Sequence, residues 1–101
     1  MLYFVDTFMT GQCCDFRAYF EVEPEQLKEL MLIHGWRSHI HNKEKAKLLS
    51  KVLKTNIEVN KTTLNLDNID IENDRVVIFE ADQLEDLILV RFYVLLPSKK
   101  C

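Results

Sequence analysis

Between Trp36 and Leu53 the chain changes period without a spacer. Trp36, Ser38 and Ile40 alternate with Arg37, His39 and His41, the period-two pattern of a strand. Directly afterwards Ala46, Leu49 and Leu53, joined by Leu48 and Val52, recur at the spacing of one helical stripe. A strand that feeds straight into an amphipathic helix needs a sheet for the one and an apolar layer for the other, so the fold class is α/β. Asn42 suits the N-cap, Lys45 at N3 denies the helix a capping box, and Thr55-Asn56 supplies the stop. The helix N-terminus therefore stays positive. Edged by His39, His41, Lys43 and Lys45, it is arranged to receive an anion such as phosphate.

The rest of the chain completes one small domain over residues 1–101, a mixed sheet flanked by two main helices. Leu2 to Phe8 is aromatic and β-rich without alternation, which predicts a central strand buried on both faces. Thr10 to Asp15 makes a turn, and Phe16 to Val22 alternates as a half-exposed strand. Pro24 at a first helical position and Gly35 as the left-handed stop bracket a helix over Pro24 to His34. Ile57 to Val59 and Thr62 to Leu66 predict short strands, and Asp67 to Asp74 an acidic turn. Arg75 to Ala81 and Leu87 to Leu96 predict apolar strands joined by a hairpin or by a helical turn over Asp82 to Asp86.

Composition narrows the function classes. With 101 residues, 48% apolar and 29% charged, two Gly and two Pro, the chain is long enough to bury roughly two thirds of its unfolded surface. It does not have the make-up of a linker or a disordered tail. A net charge of −3 gives no broad cationic face for duplex DNA or RNA, and no helix-turn-helix pattern is present. No apolar run approaches the roughly 18 residues of a membrane span, and the opening MLYFVDTF lacks a basic signal-peptide start. A cytoplasmic protein without a membrane partner is the expectation. Cys13, Cys14 and Cys101 have neither disulfide-framework nor zinc spacing, and a zinc site from His34, His39 and His41 lacks an acid or Cys at ligand spacing. Neither metal nor cofactor is expected.

Three pieces in order carry a resemblance. The opening LYFVDTFMT is similar to a first strand that reads Leu-Tyr-Leu-x-Asn. SHIHNKEKAKLLSKVL is similar to a central Ser-x-Ile-Gly-His motif followed by Thr-Ala and a Leu-Leu-Ser helix. Asn60-Lys61 stands where an Asn-Arg follows that helix. Over its first two thirds the chain resembles the small viral and mobile-element family that contains the archaeal-virus anti-CRISPR ring nuclease acting against type III systems. The resemblance implies a ring-nuclease-like homodimer whose interface binds cyclic tetra-adenylate. Its enzymatic members open the ring by 2′-hydroxyl attack on the adjacent phosphate, with a histidine as general acid and no metal. It also places the first loop, with Met9, Thr10 and Gln12, over the ligand, and Ser38, His39, Asn42, Lys43 and Lys45 around it.

The chain departs from that motif at the chemistry. His41 stands where the motif has Gly, and Asn42 where it has the catalytic histidine; Asn transfers no proton. Downstream, one frame sets Gln83 at the position of an arginine and Asp86 at that of a glutamate, while another places the Leu89 to Pro97 strand there instead. Two accounts of the histidines stand. Either His41 has taken the catalytic role by a one-residue shift, aided by His39 and by Asp86, or the pocket binds without cutting. A plainer reading makes both histidines half-exposed strand residues, Lys43 to Lys54 a solvated helix face and Trp36 a core anchor. Function thus divides between two classes. One binds, with or without cleavage, a cyclic oligoadenylate messenger and antagonises type III CRISPR signalling. The other is a non-enzymatic homodimer that engages a host protein.

Overall fold

The computed structural model describes residues 1–6, 9 and 14–99, apart from the side chains at positions 14, 15, 84 and 99. Five strands form one mixed sheet: β1 (Leu2–Val5), β2 (Cys14–Val22), β3 (Trp36–His39), β4 (Arg75–Leu84) and β5 (Leu87–Lys99). The helices are α1 (Pro24–His34) and α2 (Lys43–Leu53). Strand order is β2-β5-β4-β1-β3, with β1 parallel to both β3 and β4 and with β5 antiparallel to β2 and β4.

β1 is interior, as its apolar run implies, although β4 holds the middle of the sheet. Leu2 and Phe4 belong to the cluster under the helices, with Leu27 and Met31 of α1, Ala46, Leu49 and Leu53 of α2, and Val77, Phe92 and Val94. Val5 belongs to a second cluster on the other face with Leu64, Leu66, Val76 and Leu95. Phe8 lies outside the described residues. Both helices match their sequence signals. Pro24 opens α1, where Gln26 Oε1 accepts the Glu23 N–H at 3.0 Å, and Gly35 follows it at φ 74°. Asn42 caps α2, its side chain accepting the Lys45 N–H at 3.0 Å.

Two expected strands are absent. Residues 57–66 form an irregular cover, with a parallel bridge between Ile40 and Val59 and a 3-10 turn over Leu66–Asn68. Side chains fix this stretch in place of a ladder: Ser50 Oγ accepts the Ile57 N–H at 2.8 Å, and Ser38 Oγ donates to Glu58 O at 2.5 Å. At 82–86 the hairpin alternative holds, and the two long strands meet through a two-residue turn, Glu85-Asp86, with Glu85 at φ 54°. The β2 alternation weakens in the middle: a register shift falls between Phe16 and Ala18, and Phe20 is 46% exposed.

Candidate functional site

β1 and β3, parallel to each other, end on one edge of the sheet while β4 beside them runs on, and α2 begins there because it follows β3 directly. In open α/β sheets, ligands bind outside the carboxyl ends of the strands. Three residues meet at this edge. Asp6, the first residue after β1, accepts the His41 N–H on Oδ1 and the Asn42 N–H on Oδ2, both at 2.9 Å. Asn42 in turn accepts from Lys45 N. An α-helix leaves its first amides without intrahelical acceptors, so those of Lys43 and Glu44 are the first-turn donors not engaged by Asp6 or Asn42.

The junction is thus partly filled from within. A carboxylate of the chain occupies two of the backbone donors that an anionic ligand would seek. Asp6 was missed in reading the sequence. The available signal was an acid placed directly after an apolar strand, at the end where backbone donors gather.

The histidines turn to the other face of the sheet. His39 Nδ1 lies 2.8 Å and His41 Nε2 3.4 Å from the same acceptor, the carbonyl of Thr62. Tyr3 flanks His39 with ring centroids 5.8 Å apart. Thr62 N–H donates to Asn60 Oδ1 at 3.0 Å, and Asn60 N–H to Ile40 O at 2.9 Å. Together these bonds anchor the cover segment to β3.

Ser38 faces inward and is 9% exposed; its hydroxyl donates to Glu58 O and accepts the Ile40 N–H at 3.2 Å. Met9 is half-buried against the second cluster, and Thr10 and Gln12 lie outside the described residues. Lys43 and Lys45 are exposed on the first turn of α2. Gln83 and Asp86 do not join them. Phe4 pairs with Val77, which sets Asp6 level with Phe79, so Gln83 lies four residues further along β4, about 13 Å at strand rise. It pairs there with Ile88, and Asp86 sits in the turn beyond.

Trp36, in edge-on contact with Phe4 at 5.9 Å, lines a cleft of about 520 Å³ along the β3 edge with Arg37, Asn56, Glu58 and Asn60. Among the described residues no group of three or more His, Cys, Asp or Glu could hold a metal ion, and His34 is not brought to His39 and His41. The shifted titrations are those of Asp70, in the turn before β4, and of Tyr3 on β1. The Asn73 amide, then the Glu72 backbone, hold the Asp70 carboxyl below its ordinary value, while burial, then the charge of Asp74, push Tyr3 up. Among the described residues no helix is long and apolar enough to cross a membrane.

No protein-family model and no curated protein sequence matches the chain. Among solved structures it is similar to B116 of Sulfolobus turreted icosahedral virus. The TM-score is 0.63 at 16% identity, over 93% of this chain and 97% of that one. The shared property is the fold, a small α/β architecture also used by a protein of an archaeal virus.

Proposed function

We propose that this chain binds an anionic nucleotide messenger at the carboxyl edge of its parallel strands and does not cleave it. Cyclic tetra-adenylate is the first ligand to test. The observation that carries the reading is the state of the proton-transfer groups. Ring opening by a 2′-hydroxyl needs an acid beside the leaving oxygen. The residue at the motif's histidine position is Asn42, whose side-chain oxygen caps α2, and the rings of His39 and His41 both engage the Thr62 carbonyl. Support for binding comes from the amides of Lys43 and Glu44 at the start of α2, with the exposed ammonium groups of Lys43 and Lys45 beside them. Retained without cleavage, such a messenger is withdrawn from its effectors. In an infected host cytoplasm a homodimer acting this way antagonises type III CRISPR signalling by sequestration.

A second reading rests on Asp6. The first-strand pattern that the chain resembles ends in Asn, and this chain has an acid there, engaged with both junction amides. A phosphate entering the same place meets a negative charge. That favours the non-enzymatic homodimer that engages a host protein.

Calorimetric titration of the wild type and Asp6→Asn with cyclic tri-, tetra- and hexa-adenylate separates the two readings, with chromatography of the recovered nucleotide. Binding with intact nucleotide is expected, strengthened about tenfold in Asp6→Asn by removal of a repulsion worth about 1.4 kcal/mol. No heat with any ring in either protein overturns the nucleotide reading and leaves the protein-binding one. Linear product that disappears in His41→Ala overturns the claim that the chain does not cut.

A further inference from the structure

β3 is an outer strand of the sheet, so half of its backbone groups face away from β1. Two bonds fix which half. Leu2 N–H donates to Gly35 O at 3.0 Å, which turns residue 35 toward β1, and Asn60 N–H donates to Ile40 O at 2.9 Å, which turns residue 40 away. Alternation then sends the N–H and C=O of Trp36 and Ser38 outward as well. Ile40 has a partner for each group, Ser38 Oγ for its N–H and Asn60 for its carbonyl, whereas the backbone groups of Trp36 and Ser38 meet no hydrogen-bond partner among the described residues. They open on the cleft of about 520 Å³ whose far wall is Asn56, Glu58, Val59 and Asn60. The bridge between Ile40 and Val59 closes one end of it.

A free edge of two residues, stopped at Ile40, is too short for an added strand, which typically runs about 5–6 residues. The cleft volume falls instead in the range of small-molecule sites, roughly 300–1,000 Å³. Along the edge the groups stand as the carbonyl of Trp36, the N–H of Ser38 and the carbonyl of Ser38, in the order acceptor, donor, acceptor. A planar ligand fits when it presents a donor, then an acceptor, then no lone pair. Adenine does so on its Watson–Crick edge, with N6–H, N1 and C2–H. Guanine and uracil carry the opposite order, and cytosine sets its O2 against the last carbonyl.

We infer that this cleft is a binding site for an adenine nucleoside, read by the outward backbone of Trp36 and Ser38. Strand-edge groups lie in the plane of the sheet, so a base bonded to them extends that plane. Trp36, packed against the helix-side cluster, then lies over one face of the base. Arg37, which pairs with Tyr3 and points to the opposite side by alternation, lies over the other. Aromatic rings and guanidinium planes both stack on bases. N9 lies across the ring from N1 and N6, so the ribose reaches the far wall, where the exposed Glu58 carboxylate accepts from its hydroxyls beside the Asn56 amide. Adenosine carries no phosphate for the amides at the start of α2, so binding in this cleft is independent of the function proposed for the junction.

Trp36 is the chain's single tryptophan, so its fluorescence reports directly on a stacked base. The full chain is titrated with adenosine, guanosine and N6,N6-dimethyladenosine, which has lost the N6 donor, and backbone amide shifts are followed by NMR in parallel. Adenosine is expected to quench Trp36 saturably and to move the Ser38 amide downfield as its N–H takes N1. Guanosine and the dimethyl analogue bind about tenfold more weakly, the worth of a lost hydrogen bond in a partly dry site. Among exposed positions, Arg37→Ala weakens adenosine several-fold, and Glu58→Gln weakens adenosine more than it weakens 9-methyladenine, which has no ribose. Circular dichroism checks that both variants fold. Quenching that does not saturate at millimolar adenosine, guanosine or the dimethyl analogue binding as tightly as adenosine, or a Ser38 amide that does not move while Trp36 is quenched, each overturns the inference.

Discussion

Asp6 joins elements that lie 35 residues apart in sequence by giving one carboxylate oxygen to each of two consecutive amides, those of His41 and Asn42. Hydrogen bonds to a charged acceptor are among the stronger ones, and a donor left without a partner bears its full desolvation penalty. Asp6→Ala is therefore expected to destabilise the fold by about 1–3 kcal/mol, a drop of roughly 4–8 °C in Tm per kcal/mol for a domain of this size. Asp6→Asn, which keeps one acceptor, loses less. Thermal melts of the two variants check the order; an Asp6→Ala protein that melts with the wild type would show that the carboxylate does not hold the junction. At this scale the sequence was only partly legible. The alternation of Trp36 to His41 put both histidines on the face they occupy, but their shared acceptor, the Thr62 carbonyl, belongs to an aperiodic segment. Spacing announces faces, whereas a pairing between distant residues leaves no local trace.

Elements were legible where period and punctuation agreed. α1 runs from Pro24 to the residue before Gly35, and α2 follows its Asn42 cap with Ala46, Leu49 and Leu53 buried. Residues 57–66 misled because their β-branched and apolar side chains are those of strands, yet they bury themselves as a cover: Ile57 under the helices, Leu64 and Leu66 on the opposite face. The sheet edge beside them is bridged at Ile40 and Val59 without a ladder forming there. The end of α2 shows a further local conflict. Lys54, its C-cap, sits at φ 52°, ψ 39° and donates its N–H to Ser50 O. The left-handed region crowds any Cβ, and glycine is the residue that enters it without that penalty. Lys54→Gly is expected to stabilise the protein by about 0.5–1 kcal/mol, read as a raised midpoint in guanidinium with an unchanged slope. A lowered midpoint would mean that the lysine side chain contributes more there than its backbone costs.

At the scale of the molecule the sheet separates two unlike layers: a helix pair with a large cluster beneath it on one face, and an irregular cover over a smaller cluster on the other. Interior strands such as β1 need apolar residues on both sides, and for that reason its run without alternation could be read as interior before any partner was known. The second layer was not legible, since a cover made of loop has no period. Tyr3 stands at that covered face of β1, half-buried, with the Asp74 carboxylate, just before β4, acting on its hydroxyl. Burial first, and then the negative charge of Asp74, raise its pKa above the ordinary 10.0, and Arg37 only partly opposes them. The sign follows from proton linkage. Below pH 10 both folded and unfolded chains keep the phenol protonated and the contribution is fully present. As pH rises above 10 the unfolded chain ionises first, so the contribution declines until the folded-state pKa has been passed. The unfolding free energy of the wild type minus that of Tyr3→Phe should therefore be flat from neutrality to about pH 10 and fall beyond it. Denaturant titrations of both proteins at matched pH test this, and the difference cancels the titration of lysines common to the two. A difference that stays flat or rises through the alkaline range would place the Tyr3 hydroxyl in water and remove its link to Asp74.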